Sequence, residues 1–330
     1  MKKALFTSTT LIISMLTNGY AQSFNVRSIF NSGATGGIEL LTPSSINDST
    51  NFRLTKYKVQ FVKVLRTKEV DLEKFDMDNN EAKANQLFLT SKFSIAKPEL
   101  TNQNYFENIY NGELELTYIT ASRRRGVWLH TANVSLTESE ETFKRSITPN
   151  FRAYSVYAHV KNLKFIPFVG PAIGINQGQV IALPVFGFWT RLASQTTFEI
   201  IVPIHVKLKY NLANKVEFEL ATSYSRIHAV YREGSVYKGN DNTINLRQLK
   251  YHLGINTRLN ENYKFKVELG YAFLQELNAL SNNLSQKMSP TPFFNLSFNY
   301  NFRNSIFYKF FNEGDKLGKS KNETRKKWLF

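Results

Sequence analysis

Residues 197–212 alternate between apolar and polar side chains for longer than a soluble strand requires. In an extended chain, alternate residues of this stretch fall on two faces. The apolar face carries Phe198, Ile200, Val202, Ile204, Val206, Leu208, Tyr210 and Leu212. The other face is mainly polar, with Ile201 and Pro203 as exceptions, and carries Glu199, His205, Lys207, Lys209 and Asn211. Strands of soluble sheets usually have about 5–6 residues, whereas a tilted strand needs about 9–11 to cross a bilayer. The pattern therefore predicts one membrane-spanning strand.

The N-terminus has the features of an export signal. Lys2 and Lys3 precede an apolar run over residues 4–16, and Ala21 ends a small-x-small cleavage site. The run is shorter than the about 20 residues of a membrane-spanning helix. We predict a signal peptide over residues 1–21, removed after Ala21. Residues 22–51 are rich in Gly and polar side chains, and are expected to form a loose N-terminal segment.

The chain is strongly basic and has no cysteine. Its 42 Lys and Arg against 26 Asp and Glu give a formal net charge of +16. These charges are spread along alternating strands and a tail, so we expect an exported chain to meet anionic lipid or solutes and not nucleic acid. Disulfides and thiolate chemistry are excluded because cysteine is absent. The aromatic content of 14% suits girdles at membrane interfaces.

After the signal, no run of 18 apolar residues occurs, so only a closed barrel could place the chain in a bilayer. Turn signals divide residues 52–303 into alternating segments near 53–66, 86–96, 112–122, 128–136, 151–161, 165–176, 180–191, 197–212, 215–231, 248–259, 263–273 and 294–302. We predict an all-β, antiparallel, up-and-down transmembrane β-barrel of about 12 strands, with 10–14 possible, followed by a basic tail over 304–330.

An even number of strands returns both ends of the barrel to the periplasm. With twelve strands, the connections at 67–85 and 123–125 face outside, and that at 177–178 faces the periplasm. The connections at 97–110 and 139–149 are then long on the periplasmic side, where turns are usually short.

Charged side chains occupy the polar faces of the later strands and are predicted to face the lumen: Lys207, Lys209, Glu217, Glu219, Lys250, His252, Arg258, Lys264, Lys266 and Glu268. Pairing like faces across residues 212–214 sets Lys209 opposite Glu217, and Lys207 opposite Glu219. Basic residues outnumber acidic ones on these faces, so an open pore would favour anions. Alternatively, the charges pair with one another and fill the bore.

The last predicted strand carries a recognisable spacing. Asn295, Ser297, Tyr300 and Phe302 resemble the terminal-strand signal of bacterial outer-membrane proteins, with Ser297 at the position usually held by Gly. With the signal peptide and residues 183–187 and 269–273, this makes the chain similar to the Bacteroidota-type outer-membrane β-barrel proteins of unknown function. The resemblance implies location in the outer membrane, contact with outer-membrane lipid, and insertion by the barrel-assembly machinery. It implies no catalytic residue.

Other motifs give weak signals. Residues 76–80 begin like a calcium loop, but Glu81 and Leu87 stand where the loop needs Gly and Glu, so a solvated acidic loop is the better interpretation. The arginines at 123–125 fit either a phosphate site or a solvated hairpin tip. Residues 170–174 lack the spacing of a nucleotide loop.

The histidines do not define an active site. None of His130, His159, His205, His228 and His252 stands beside a nucleophile motif, and His130 shares an outward face with Trp128. We therefore predict no catalytic, cofactor-binding or metal site. The expected function is that of a non-enzymatic barrel, either structural or a narrow pore. A lipid-modifying enzyme of the outer membrane and a soluble periplasmic β-sandwich are the alternatives.

Overall fold

The structure is a computed structural model that describes residues 31–47, 50–68, 83–101, 108–122, 126–139, 149–160, 164–176, 179–202, 205–213, 215–231, 243–260, 262–279 and 284–304. Within these ranges no helix is long and apolar enough to cross a membrane. The regular elements are strands: β1 (Asn31–Asn47), β2 (Thr50–Lys68), β3 (Lys83–Leu100), β4 (Ile109–Ser122), β5 (Gly126–Ser139), β6 (Asn150–Ala158), β7 (Phe165–Asn176), β8 (Gln179–Arg191), β9 (Thr196–Val202), β10 (His205–Ala213), β11 (Val216–Tyr231), β12 (Thr243–Arg258), β13 (Tyr263–Ala279), β14 (Leu284–Met288) and β15 (Thr291–Asn304).

The strands form one closed antiparallel wall. Each strand from β1 to β13 pairs with the next along the chain, and β15 closes the ring by pairing with both β13 and β1. The short β14 pairs with the last residues of β13, so β14 and β15 share one position in a 14-strand barrel. Asn31 at the start of β1 lies opposite Asn304 at the end of β15. We call this end of the barrel the terminal end and the opposite one the far end.

The outer face of the barrel is apolar. Large side chains on it are strongly exposed, among them Phe61, Leu114, Val169, Leu253, Leu269 and Phe298. Water-soluble proteins do not expose so extensive an apolar surface, whereas a closed sheet that satisfies its own backbone can place one in lipid. The fold is therefore that of a transmembrane β-barrel and not a two-sheet sandwich.

The interior is filled in layers. Buried apolar side chains of β1–β4 and β11–β15 meet near the far end and form what we call the far-end core: Leu41, Phe52, Leu54, Ala96, Ile109, Ala229, Leu246, Ala272, Leu277, Met288 and Phe293. A smaller apolar cluster lines β2–β5 towards the terminal end: Val62, Phe88, Ile119, Val127 and Leu129. A polar layer lies between the two.

Strand length differs around the wall. The strands β6–β10 have 7–13 residues, whereas β1–β5 and β11–β13 have 14–19. Beyond the short strands, Val230 and Tyr231 of β11 pair in parallel with Glu138 and Ser139 of β5. This pairing bypasses five strands, so the far end is narrower than the terminal end. A narrow end can be filled by apolar side chains.

The prediction of a loose segment over 22–51 was wrong for its second half, because β1 (Asn31–Asn47) is a full strand of the wall. The glycines of this segment permit close packing. A Cβ atom on Gly37 would lie 2.8 Å from the Leu296 carbonyl oxygen and 2.9 Å from Lys58 Cε. The described barrel therefore covers 31–304 and not 52–303.

The stretch predicted as one spanning strand is a hairpin. Between β9 and β10 only two residues intervene, and His205 lies opposite Ile201. A two-residue connection leaves the alternation in phase, so Val202 and Val206 both point outward while His205 points inward. Periodicity alone therefore could not detect the break, although Pro203 marks it.

These two corrections raise the number of strands in the barrel from twelve to 14. They also exchange the ends of the barrel at which the early strands begin and end. The ends of β2 and β4 lie at the terminal end of the barrel, and the ends of β3, β5 and β7 lie at the far end, which is the reverse of the predicted arrangement. β3 also continues beyond the predicted segment 86–96 to Leu100, and within this extension Pro98 lies opposite Leu54. The signal peptide, the acidic loop near 69–81, the arginines at 123–125, the side chain of His228 and the tail beyond 304 lie outside the described residues.

Candidate functional site: a charge belt inside the barrel

The polar layer between the two apolar clusters is the candidate site, and we call it the charge belt. Its side chains come from alternate, inward positions of neighbouring strands: Glu39, Lys92, Glu113, Glu115, Arg152, Glu199, His205, Lys207, Lys209, Glu217, Glu219, Lys250, His252, Lys266, Glu268 and Asn295. Charged groups removed from water need partners, and the strand period of two brings such partners together.

Glu219 on β11 is the most connected carboxylate of the belt, and only 2% of its side chain is exposed. Its Oε1 atom lies 3.0 Å from Lys266 Nζ and 3.4 Å from His252 Nε2. Its Oε2 atom lies 3.4 Å from Lys209 Nζ. Strands β10, β12 and β13 thus all direct a cationic or titratable group at one carboxylate.

The predicted register of the β10–β11 hairpin was wrong by one inward position. Lys209 lies opposite Glu219 and Glu217 lies opposite Asn211, and an irregularity follows between Asn211 and Ala213. The predicted ion pairs still form on the diagonal. Lys209 Nζ is 3.0 Å from Glu217 Oε1, and Lys207 Nζ is 3.9 Å from Glu219 Oε1.

Glu219, His252 and Glu268 are placed closely enough to share a cation, with one ligand atom from each lying within 4.8 Å of the others. Lys266 Nζ contacts both carboxylates and already supplies a cation at that point. Asn295 donates a hydrogen bond to the other oxygen of Glu268. The trio is therefore a part of the belt whose charge is compensated by Lys266.

On the other side of the barrel, the belt contains a second group of ion pairs. Lys92 Nζ lies 2.6 Å from Glu113 Oε1 and 3.4 Å from Glu115 Oε2, and Arg152 Nη2 lies 3.3 Å from Glu113 Oε2. Alternation along β4 is sufficient to place both glutamates inward, but it does not identify their partners. Register across β3–β6 decides those partners, and no turn signal fixed it.

Two further pairs were missed. Glu39 contacts Lys250, and this pair depends on β1, which the composition of the segment concealed. His205 Nε2 lies 2.6 Å from Glu199 Oε1, a pair that forms only because β9 and β10 fold back on each other.

Eight of the ten predicted lumen charges take part in belt ion pairs. Lys264 and Arg258 lie closer to the terminal end than the belt, where Arg258 is exposed. Of the terminal-strand residues, Asn295 is buried in the belt and Ser297 also faces inward, whereas Phe302 is exposed on the outer face. Tyr300 packs against Tyr263 on that face, with ring centroids 4.8 Å apart.

On the lipid-facing side, the structure brings together a serine and a histidine. Ser155 Oγ lies 2.9 Å from His130 Nδ1, and the two residues are direct partners across β5 and β6. The His130 ring stacks on Trp128 at a centroid distance of 5.7 Å. Sequence reasoning missed this pair because the long connection between β5 and β6 leaves their register open.

The fold defines a transmembrane β-barrel, and the charge belt lies inside it. The chain belongs to the family described as "Domain of unknown function (DUF6268)", whose model matches residues 20–309. The Bacteroidota-type assignment stays a prediction. No curated protein matches the sequence.

Several solved outer-membrane barrels are similar in fold. An outer membrane channel from Pseudomonas putida F1 has 7% identity and a TM-score of 0.43, with 86% of this chain and 98% of that chain covered. LpxR from Salmonella typhimurium has 6% identity and a TM-score of 0.36, with 82% and 100% covered. A FadL homologue from Pseudomonas aeruginosa has 9% identity and a TM-score of 0.31, with 83% and 91% covered. Function must be argued from the residues of this chain.

Proposed function

We propose that this protein is an outer-membrane β-barrel without a catalytic role, structural or at most a narrow pore, whose bore is closed by its own charge belt. The observation that carries the proposal is the succession of two buried layers along the bore, the charge belt and the far-end core. The apolar outer face and the export signal in the sequence support location in the outer membrane.

The belt is close to electrically neutral at each point. Each of its carboxylates has a basic side chain within 4.0 Å. A bore lined by ion pairs passes small ions only where an ion pair separates, because the side chains of an intact pair occupy the space that a hydrated solute needs. The anion preference expected from the predicted lumen charges does not follow from the belt as a whole, in which seven carboxylates accompany six Lys and Arg side chains. Within the belt, anions would be favoured only where a carboxylate is removed from its cations.

Conductance of the purified protein in planar bilayers tests the proposal. Wild type should conduct far less than a 16-stranded, water-filled porin. Glu219→Gln should raise the conductance and shift the reversal potential towards anion selectivity, since Lys209 and Lys266 lose their shared carboxylate. Glu99→Gln is the matched control, because Glu99 is exposed on the outer face beside Arg53.

A wild-type conductance equal to that of an open porin would contradict the proposed occlusion. Fractionation with the outer membrane, together with slower or faster migration of the unboiled protein in detergent gels, tests the location and the barrel separately from the bore.

One observation favours a second function, that of an enzyme acting on lipid. The hydrogen bond between Ser155 and His130 lies on the lipid-facing side, where an acyl ester could reach it. The same bond also satisfies two polar groups that face lipid, which is its structural role in the first proposal. Release of fatty acid from phospholipid by the purified protein, and its loss in Ser155→Ala, would support the enzyme.

A further inference from the structure

Two lysines on the inward face of β2, Lys56 and Lys58, lie beside the charge belt but outside its ion pairs. Lys56 is opposite Glu39 of β1, and Lys58 is opposite Gly37 of the same strand. Both lysine side chains are partly buried. The ion pairs among the described residues, which join atoms up to 4.0 Å apart, include neither lysine. An ammonium group that is partly removed from water is costly without a counter-ion, so an anion beside these lysines would be stabilising.

A third lysine, Lys250 of β12, lies on the same part of the inner wall. We call Lys56, Lys58 and Lys250 the lysine cluster, and its centre is the carboxylate of Glu39. Lys250 contacts this carboxylate directly. Lys56 and Lys58 attract the same carboxylate, and Lys56 is repelled by both other lysines. Three positive charges thus surround one negative charge, which leaves an excess of two positive charges at this place.

The neighbouring carboxylates do not offset this excess, because each is held by cations of its own. On one side, Glu113 attracts Lys56 of the cluster. However, it lies 2.6 Å from Lys92 Nζ and 3.3 Å from Arg152 Nη2. On the other side, the carboxylate of Glu268 contacts the Lys266 ammonium group. The local excess of positive charge therefore remains.

The wall beside the cluster is shaped to hold a lysine side chain and to offer hydroxyl groups. A Cβ atom on Gly37 would lie 2.9 Å from Lys58 Cε and 3.1 Å from Ser297 Cβ, so the Lys58 stem extends over β1 at the one residue type that leaves room for it. Ser94 of β3 lies opposite Lys58, and Ser297 of β15 lies opposite Gly37. Ammonium and hydroxyl groups are donors, and the oxygens of a tetrahedral oxyanion accept such bonds from several directions.

The lysine cluster can be reached along a polar strip of the wall. Towards the terminal end, the inward positions of β1, β2 and β15 next to the cluster are polar and partly exposed: Thr35, Gln60, Ser297 and Asn299. Towards the far end, the next inward residues are Leu41, Phe52 and Leu54 of the far-end core, which are buried and apolar. A hydrophilic ligand therefore approaches the cluster from the terminal end.

We propose that the lysine cluster binds a small oxyanion with two negative charges, either phosphate or a phosphate monoester. The charge of such an ion equals the excess of positive charge around Glu39, and lysine binds phosphate as a point charge. The bound ion would also relieve the repulsion between Lys56 and the two other lysines. The inference rests on the proposed function for the compartment only, since the terminal end of an outer-membrane barrel with periplasmic ends opens to the periplasm.

Equilibrium dialysis of full-length protein in neutral detergent against radiolabelled inorganic phosphate tests the proposal. Wild type should bind phosphate saturably. Lys56→Gln/Lys58→Gln should weaken the binding at least about tenfold, because two of the three ammonium groups are lost. Glu39→Gln should strengthen the binding about threefold or more, because the carboxylate that competes with phosphate for Lys250 is removed. A purely structural role of Glu39 does not predict this gain.

Lys63→Gln/Lys97→Gln is the matched control. Both lysines are exposed on the outer face, on β2 and β3, and their replacement lowers the net charge by the same amount as the cluster variant does. Unboiled migration in detergent gels verifies that each variant has folded. The control should change phosphate binding less than about twofold, since exposed charges are screened by solvent and salt.

Unlabelled glycerol 3-phosphate distinguishes the two sources of the oxyanion. Displacement of the label at concentrations similar to those of unlabelled phosphate assigns the cluster to phosphate monoesters, and no displacement assigns it to the free ion. Three results would overturn the proposal: no saturable binding by folded wild type, an equal loss in the control variant, or binding that Glu39→Gln leaves unchanged or weakens. Failure of the proposed function would be recognised separately, by fractionation outside the outer membrane or by an open-porin conductance.

Discussion

The far-end core and the charge belt are built from the same strands, but the first is stabilised by apolar packing and the second by ion pairs. On the inward face of β2, Phe52 and Leu54 lead to Lys56 and Lys58, and on that of β15, Phe293 leads to Asn295. The core excludes water and needs only to be filled, whereas the belt needs each charge to meet a partner. The narrow end, closed by β5 and β11, is apolar, and the wider middle is charged. The far end of the bore is thus stabilised by close packing of apolar side chains, and the middle of the bore by ion pairs.

The largest effect is expected in the far-end core. Phe52 is 1% exposed, and Phe52→Ala should lower the free energy of unfolding by about 3–5 kcal/mol because it leaves a cavity. Urea unfolding of protein folded in detergent measures the loss. Phe61→Ala on the same strand, at a position 52% exposed on the outer face, is the control. An equal loss in both variants would mean that the far end is loosely packed.

A charge on the outer face should have the next largest effect. Leu269 is 58% exposed, and Leu269→Arg should cost about 2–4 kcal/mol if it lies near the bilayer midplane. Folding into vesicles measures it, with Leu269→Ala as the control that keeps the face apolar. Gly270→Arg is a poor comparison, because any side chain there meets the Tyr251 carbonyl and His252. A harmless Leu269→Arg would refute the assignment of the faces.

Smaller effects are expected for single pairs within the belt. Double-mutant cycles on Lys209 with Glu217, and on Lys209 with Glu219, should each give a coupling of about 0.2–1 kcal/mol. The two distances, 3.0 and 3.4 Å, are similar, so neither pair should dominate. Absence of coupling in both cycles would mean that the belt is not held by ion pairs and would favour an open bore.

The smallest effect is expected outside both regions. Arg53 and Glu99 lie 4.0 Å apart with more than half of each side chain exposed. Their coupling should be under about 0.5 kcal/mol and should vanish in high salt. A coupling as large as that of the belt pairs would show that burial in the belt adds little to an ion pair.

Alternation predicted the fold class and the faces of most strands, because lipid on one side and a polar lumen on the other impose a period of two. It could not find β1, whose glycines meet neighbouring backbone, as Gly37 does beside Leu296. Nor could it separate β9 from β10, since a two-residue connection leaves the alternation of inward and outward side chains unchanged.

The belt was predictable as a set of inward charges and not as a set of pairs. Lys207, Glu219 and Lys266 could be placed inward from sequence, but their partners depend on register. A shift of one inward position moved Lys209 from opposite Glu217 to opposite Glu219. Pairs such as Glu39 with Lys250 join strands far apart in the chain, and no local signal encodes them.

The pairing of β1 with β15 has a consequence for the order of folding. These strands come from opposite ends of the barrel sequence, and their ladder runs from Asn31 opposite Asn304 to Leu41 opposite Phe293. The ring therefore stays open until the last strand has been synthesised, and until then both edges expose unpaired backbone groups. Closure over so long a chain is slow because contacts distant in sequence form late. The waiting intermediate, with its two free edges, is the species most exposed to mispairing and aggregation.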